Sequence, residues 1–180
     1  MRDQETDDFE RKLAEAADRP RPASQFRRRL VRFVLQQGRV VEGNVHVTEG
    51  QSLSTFLTPR NFVSLTEARW VKPEGGVLPH LAVRGDQILW SASLDDELPV
   101  STMQPPVSRP RWAELTMVDG MVLNVGLYLA DEQRLTDYVD SAAGYLPVLQ
   151  GSVIGQNRLL GPVAVNRNAI LTIREIEPRP

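Results

Sequence analysis

The sequence lacks cysteine and has only two histidines among its 180 residues. The absence of cysteine excludes disulfide bonds, thiolate nucleophiles and thiolate metal sites. Neither His46 nor His80 has another histidine at metal-ligand spacing, so the pattern predicts no zinc or iron site. The acid pairs at positions 7–8 and 95–96 are typical of solvated charge rather than of a metal centre.

Motifs of enzymes are missing as well. The sequence has no glycine-rich phosphate loop, no G-x-S-x-G nucleophile turn and no G-x-G-x-x-G dinucleotide fingerprint. General acid–base chemistry would need carboxylates that converge, and the spacing of the acids indicates no such pair. The sequence therefore predicts a protein that is not an enzyme and that binds no cofactor and no metal.

Strong net charge and long apolar runs are also absent. The formal net charge is -2, so no global positive field draws the molecule to nucleic acid. No run approaches the roughly 18 apolar residues of a membrane-spanning helix. The first residues, MRDQETDDFERK, are acidic, whereas a signal peptide is first basic and then apolar. We expect a soluble protein of the cytoplasm.

One ten-residue segment occurs twice in similar form, as LAVRGDQILW at 81–90 and as VAVNRNAILT at 163–172, 82 positions apart. The same offset aligns GRVVEGNVHV with GMVLNVGLYL and QSLSTFL with QRLTDYV, and it grows by one where NFVSLTEARWV meets GYLPVLQGSVI. The alternating, β-branched segments predict strands, and the leucine-headed segments predict a short helical turn. The fold expected is mainly β, with two tandem repeated small β-barrel or β-sheet units that arose by internal duplication.

The predicted order is an N-terminal charged, helical arm at 1–37, a first β unit at 38–92, a proline-rich linker at 93–112 and a second β unit at 113–176. DDFERKLAEAADRP has the composition of a short helix. In the segment that follows it, Phe26, Leu30, Phe33 and Val34 fall on one face at helical spacing. Between residues 19 and 32 the arm is rich in arginine and has no acid. Such a segment either binds an anionic membrane or an acidic partner, or covers an open sheet with its apolar face. The sequence leaves open whether the arm is a helix or adds a strand through LVRFVL.

The first unit carries two local resemblances. EGNVHV with RNFVSLTEAR resembles the first motif of the Sm-like RNA-associated family, and RGDQILW resembles its second motif. This likeness implies a small bent barrel, and in that family the residues matching Asn61, Arg84 and Gly85 line an RNA pocket. FVSLTEA with AVNRNAI also resembles small bacterial β-domains of unknown function, a likeness that implies the fold alone.

Two functions are expected from different classes. The first is an accessory or structural subunit that docks on a larger protein assembly; a respiratory or photosynthetic complex, met at the cytoplasmic face of its membrane, is one such host. The interface candidates are Phe26, Arg28, Arg29, Arg32, Phe33, Trp70, Trp90 and Trp112. The alternative is an Sm-like RNA-binding protein that uses Asn61, Arg84 and Gly85, although RNA affinity calls for a basic face. A small-molecule regulatory domain is a third class, for which the sequence offers no feature.

Overall fold

The fold is mainly β, which confirms the prediction from alternation. A computed structural model of the chain describes residues 26–101, 110–130, 132–155 and 158–177, so the predicted helix before residue 21 lies outside the described residues. The strands are β1 (Phe26–Leu35), β2 (Val40–Thr48), β3 (Phe62–Lys72), β4 (Val77–Arg84), β5 (Ile88–Ser93), β6 (Arg111–Met117), β7 (Val122–Leu127), β8 (Tyr145–Val148), β9 (Gln150–Val153), β10 (Arg158–Leu160), β11 (Val163–Asn166) and β12 (Ile170–Ile176). The α-helices are α1 (Leu53–Leu57) and α2 (Leu135–Ser141), and 3₁₀ turns lie at Gln36–Gly38, Gly85–Gln87 and Arg167–Ala169. In the described part of the chain, no helix has the length and apolar character needed to cross a membrane.

The strands form two antiparallel sheets. The larger has seven strands in the order β4-β3-β2-β1-β5-β11-β8, and the smaller has five in the order β10-β9-β7-β6-β12. Neither closes among the described residues, so the predicted units are open sheets and not barrels. In the second half, Gly161 and Pro162 separate β10 from β11, since proline has no N–H to donate to a ladder. Beyond this break, β11 pairs with β5 of the first half instead of extending its own sheet.

Residues 26–93 and residues 111–176 contain corresponding strands and a corresponding α-helix in the same order, except that β8 and β9 together correspond to β3, and β10 and β11 together correspond to β4. Within the sheets, β4-β3-β2-β1-β5 of the first half corresponds to β10-β9-β7-β6-β12 of the second. The registers also correspond, because Phe62 pairs with Arg84 and Tyr145 pairs with Asn166. We call residues equivalent when they are 82 positions apart, or 83 between β3 and β8–β9.

The pairing of β5 with β11, which we call the junction, joins the two halves. Residues 90–92 lie opposite residues 163–165 in antiparallel register. Side chains also cross the junction: Leu89 and Trp90 pack in the core of the second half, and Ala164 packs in the core of the first. The two cores therefore interlock, and the halves form one packed body.

Residues 26–35 form strand β1, so the helix predicted for this part of the arm is wrong and the alternative, a strand through LVRFVL, is found. β1 lies inside the seven-stranded sheet, between β2 and β5. Val31, Phe33 and Leu35 alternate along it and are buried in the core of the first half. Strand pairing on both sides satisfies the backbone of β1, and this tertiary context outweighs the helix-like spacing of its apolar residues.

The start of the predicted linker is packed against the first half. Leu98 and Val100 are buried in its core. The backbone N–H groups of Leu53 and Ser54 donate to the carbonyls of Pro99 and Val100, at 2.9 and 3.1 Å. Pro99 and Val100 thus accept hydrogen bonds from N–H groups that the first turn of α1 leaves without intrahelical partners. Residues 102–109 of the predicted linker lie outside the described residues.

Candidate functional site

Four loops meet beside the junction and enclose a pocket of about 420 Å³, which we call the junction pocket. Each half contributes two of them: the segment that precedes β3 or β8, and the 3₁₀ turn that precedes β5 or β12. Asn61, Arg84 and Gly85, the residues implied by the Sm-like resemblance, line this pocket together. The structure therefore brings these three residues to one place.

Gly85 lies at the centre of the hydrogen bonds of the junction pocket. Its N–H donates to the carbonyl of Asn61 at 2.8 Å. Its carbonyl accepts from the hydroxyl of Tyr145 at 3.0 Å and from Nδ2 of Asn166 at 3.3 Å. A Cβ on Gly85 would lie 2.5 Å from the carbonyl oxygen of Arg60. Only glycine fits here without a shift of the backbone.

Asn166 and Tyr145 connect the second half to the turn around Gly85. Nδ2 of Asn166 also donates to the carbonyl of Ile88 at 2.9 Å, and its Oδ1 accepts from the N–H of Asn168 at 3.0 Å. Burial, helped by the negative charge of Asp86, raises the pKa of Tyr145. The phenol therefore stays protonated at neutral pH and acts as a hydrogen-bond donor.

The charged groups of the junction pocket are held by contacts within the chain. The guanidinium of Arg84 forms an ion pair with Asp86, and both side chains are exposed. The guanidinium of Arg60 lies 4.2 Å from the centre of the Phe56 ring, and its Nε donates to the Phe56 carbonyl at 3.0 Å. Over the described residues, no three His, Asp or Glu side chains are grouped to hold a metal ion. The pocket offers hydrogen-bond donors, a side-chain amide and the exposed ring of Phe62. Such groups are suited to binding a ligand.

The aromatic interface candidates divide by burial. Phe33 is 0% exposed and Trp90 is 2% exposed, and both belong to the cores, which corrects their selection as surface residues. Trp70 and Trp112 are half-buried on β3 and β6, and Phe26 is 55% exposed at the start of β1. Of the five aromatic candidates, these three are the ones with ring surface left for a partner.

The arginine candidates of the arm are engaged by acids of the first half and of the segment that follows it. The ion pairs are Arg28–Glu67, Arg29–Asp95, Arg29–Glu97 and Arg32–Glu42. Because carboxylates compensate all three arginines, the described part of the arm presents little net positive charge to phosphate or lipid.

Glu42 joins β1 to β3 across β2. Its carboxylate accepts hydrogen bonds from Arg32, with Nε at 2.8 Å, and from Arg69 at 3.0 Å. Burial alone raises the pKa of Glu42, but the two arginines outweigh burial and hold this pKa below its usual range. The charged carboxylate is therefore favoured in the folded state.

Glu42→Gln is expected to lower the free energy of unfolding by about 1–3 kcal/mol at neutral pH, since it weakens two charge-assisted hydrogen bonds. The folded pKa lies below the unfolded one, so this stability is present above the unfolded pKa and is lost as pH falls through the folded pKa. Urea denaturation at neutral pH and in acid measures both effects. Glu49→Gln, at a side chain 76% exposed and 4.0 Å from Arg27, is the control. A loss that is equal at both pH values would contradict this explanation.

Sequence reasoning missed Arg60, Phe62, Tyr145 and Asn166 as pocket residues. The signal lay in the internal alignment, which places Tyr145 at the position of Phe62 and Asn166 at the position of Arg84. The loops of the second half could thus have been marked from those of the first. The loops of both halves line one pocket because the junction brings the halves together.

Compared with protein-family models, curated proteins and solved structures, the chain matches none. The likeness to the Sm-like family therefore rests on the quoted residues and stays a prediction.

Proposed function

We propose that the chain is a non-enzymatic structural subunit of a larger protein assembly, built from two copies of one β unit whose sheet edges contact neighbouring subunits. Four strands lie at sheet edges among the described residues, β4, β8, β10 and β12. The observation that carries this proposal is the exposure of the two longest of them, β4 and β12. A strand at an edge presents a row of unpaired N–H and C=O groups and is a template for another strand. Proteins that remain monomeric usually protect such edges.

β4 is the longer of the two edges. Among the described residues it pairs only with β3. Val77 is 64% exposed and Leu78 is 37% exposed. Pro79 removes one N–H near the start of the strand, so residues 81–84 are the part best able to accept a partner strand.

β12 ends the five-stranded sheet. Within the described ranges it pairs only with β6. Leu171 on this strand is 66% exposed, the highest value among the large apolar side chains of the described residues. Apolar side chains beside an unpaired edge favour burial by another protein over exposure to water.

The proposed location is the cytoplasm, where the arm would meet an acidic partner subunit or the anionic face of a membrane complex. The support is the arginine-rich sequence between residues 19 and 32. In its described part, Arg28, Arg29 and Arg32 are engaged in ion pairs. These ion pairs weaken the attraction of the described part of the arm to lipid and to an acidic partner alike, so the exposed sheet edges remain the main support for a protein partner.

The size of the native particle tests the proposal. In a lysate of the host, we expect the chain in a particle well above its own mass of 20.2 kDa, unchanged by ribonuclease. Ala82→Lys on β4 or Leu171→Lys on β12 should release smaller species, because charge on an edge disfavours strand addition. Leu94→Lys, 40% exposed and outside both edges, is the matched control. A chain that sediments as a monomer would contradict the proposal.

The second candidate function is RNA binding, because Asn61, Arg84 and Gly85 line one pocket and Phe62, 58% exposed, lies beside them. Exposed aromatics can stack on unpaired bases. The pairing of Arg84 with Asp86 and the net charge of -2 weigh against it. A particle that shrinks with ribonuclease, and that is lost in Arg84→Ala, would favour RNA binding over the first proposal.

A further inference from the structure

We infer that the chain associates with a second copy of itself, head to tail, through pairing of β12 in one chain with residues 81–84 of β4 in the next. The inference rests on the proposed function and names the partner, another copy of this chain. Its basis is the junction, which is a complete example of the same contact within one chain.

Both strands of the junction have equivalents at a sheet edge. β5 is equivalent to β12, and β11 is equivalent to residues 81–84 of β4. β5 and β11 pair with each other, whereas β12 and β4 each pair with one neighbour in the described part of the chain. Repeating the junction between chains places residues 81–83 opposite residues 172–174 in antiparallel register.

Apolar side chains that the junction buries have exposed equivalents at the two edges. Tyr145 is 8% exposed, whereas its equivalent Phe62 is 58% exposed. Leu89 is 0% exposed, whereas its equivalent Leu171 is 66% exposed. A second copy would cover Phe62 and Leu171 as the junction covers Tyr145 and Leu89, which removes apolar surface from water.

The polar contact of the junction also has a counterpart. Nδ2 of Asn166 donates to the carbonyls of Gly85 and Ile88 across the junction. The equivalent of Asn166 is Arg84, whose guanidinium is likewise a donor. Between chains, Arg84 faces the two carbonyls at the equivalent positions around the 3₁₀ turn before β12.

The contact between chains is weaker than the junction and has a direction. The equivalent of Trp90 in the contact between chains is Thr172, so this contact buries less apolar area than the junction does. Association between chains therefore depends on concentration. Because β4 meets β12, the contact is heterologous, and the chains form closed rings or open rows.

Two variants that each block one edge test the inference by sedimentation velocity of the purified full chain. The wild type is expected to form oligomers of two or more chains as its concentration rises. Ala82→Lys, which blocks β4, and Leu171→Lys, which blocks β12, are each expected to be monomers. An equal mixture retains one intact pair of edges, so it is expected to form a dimer of twice the 20.2 kDa chain mass and nothing larger.

Leu94→Lys is expected to associate as the wild type does, and circular dichroism checks the fold of each variant. Ala82→Glu and Leu171→Glu replace the lysine variants if those do not fold. A wild type that is monomeric at every concentration, a mixture that stays monomeric, or oligomers that persist in each variant alone would overturn the inference. If the pure chain is monomeric while Ala82→Lys still releases the chain from its native particle, self-association fails and the proposed function stands; if no native particle exists, both fail.

Discussion

Trp90→Ala is expected to lower the free energy of unfolding by about 3–5 kcal/mol. Trp90 belongs to β5 in the first half but packs in the core of the second half, where it is 2% exposed. Removing its ring leaves a cavity beside the junction, where the two cores meet. Urea denaturation followed by circular dichroism measures the loss.

Trp112→Ala is the matched control for this prediction. Trp112 is half-buried on β6. Its replacement by alanine is expected to lower the free energy of unfolding by less than about 2 kcal/mol. The wild type is expected to unfold in one transition, because the junction couples the two cores. Equal losses in the two variants would show that β5 does not anchor the second half.

Gly85→Ala is expected to lower the free energy of unfolding by about 3 kcal/mol, because it overpacks the turn and weakens its hydrogen bonds. The new Cβ would lie 2.5 Å from the carbonyl oxygen of Arg60, so the turn must move. That movement disturbs the bonds of Gly85 with Asn61, Tyr145 and Asn166, which hold the junction pocket together. Thermal unfolding followed by circular dichroism gives the change in stability.

Gly76→Ala provides the comparison, since a Cβ on Gly76 meets no atom within 4 Å. Its effect on stability is expected to stay within about 0.5 kcal/mol. If Gly85→Ala is as mild as Gly76→Ala, the close approach of the turn to Arg60 does not constrain the fold.

Most strands of the first half were predictable from sequence, because alternation is a local property. GRVVEGNVHV and NFVSLTEARWV alternate, and they form β2 and β3. Repetition at a nearly fixed offset carried the same prediction to β7, β8 and β9 in the second half. The break at Gly161 and Pro162 also lies in the sequence, but its consequence, the transfer of β11 to the other sheet, does not.

The sequence left open whether residues 30–35 form a helix or a strand, although a further signal for β1 exists. Val31, Phe33 and Leu35 fall 82 positions before the buried residues 113, 115 and 117 of β6. Nearby apolar residues also fit a helical spacing, and a single short segment does not decide between the two periods. Pairing with the neighbouring strands β2 and β5 decides in favour of a strand. Both of these strands come later in the chain.

The junction pocket was only partly predictable. Asn61, Arg84 and Gly85 were found through a resemblance, but Tyr145 and Asn166 reach them only because β5 pairs with β11 across halves. Contacts between residues 60 to 81 positions apart depend on tertiary packing, which local pattern does not encode. The exposure of Phe62 and Leu171 follows from the same arrangement.

Head-to-tail pairing is tested most directly by cross-linking introduced cysteines, because the chain has none of its own. Ala82 and Ile173 are equivalent to Ala164 and Ser91, which lie opposite each other in the junction. On mild oxidation, a mixture of the Ala82→Cys chain with the Ile173→Cys chain is expected to give a disulfide-linked dimer, while neither chain alone does so. A linked dimer formed by either chain alone, or a mixture without linked dimer, would contradict head-to-tail pairing.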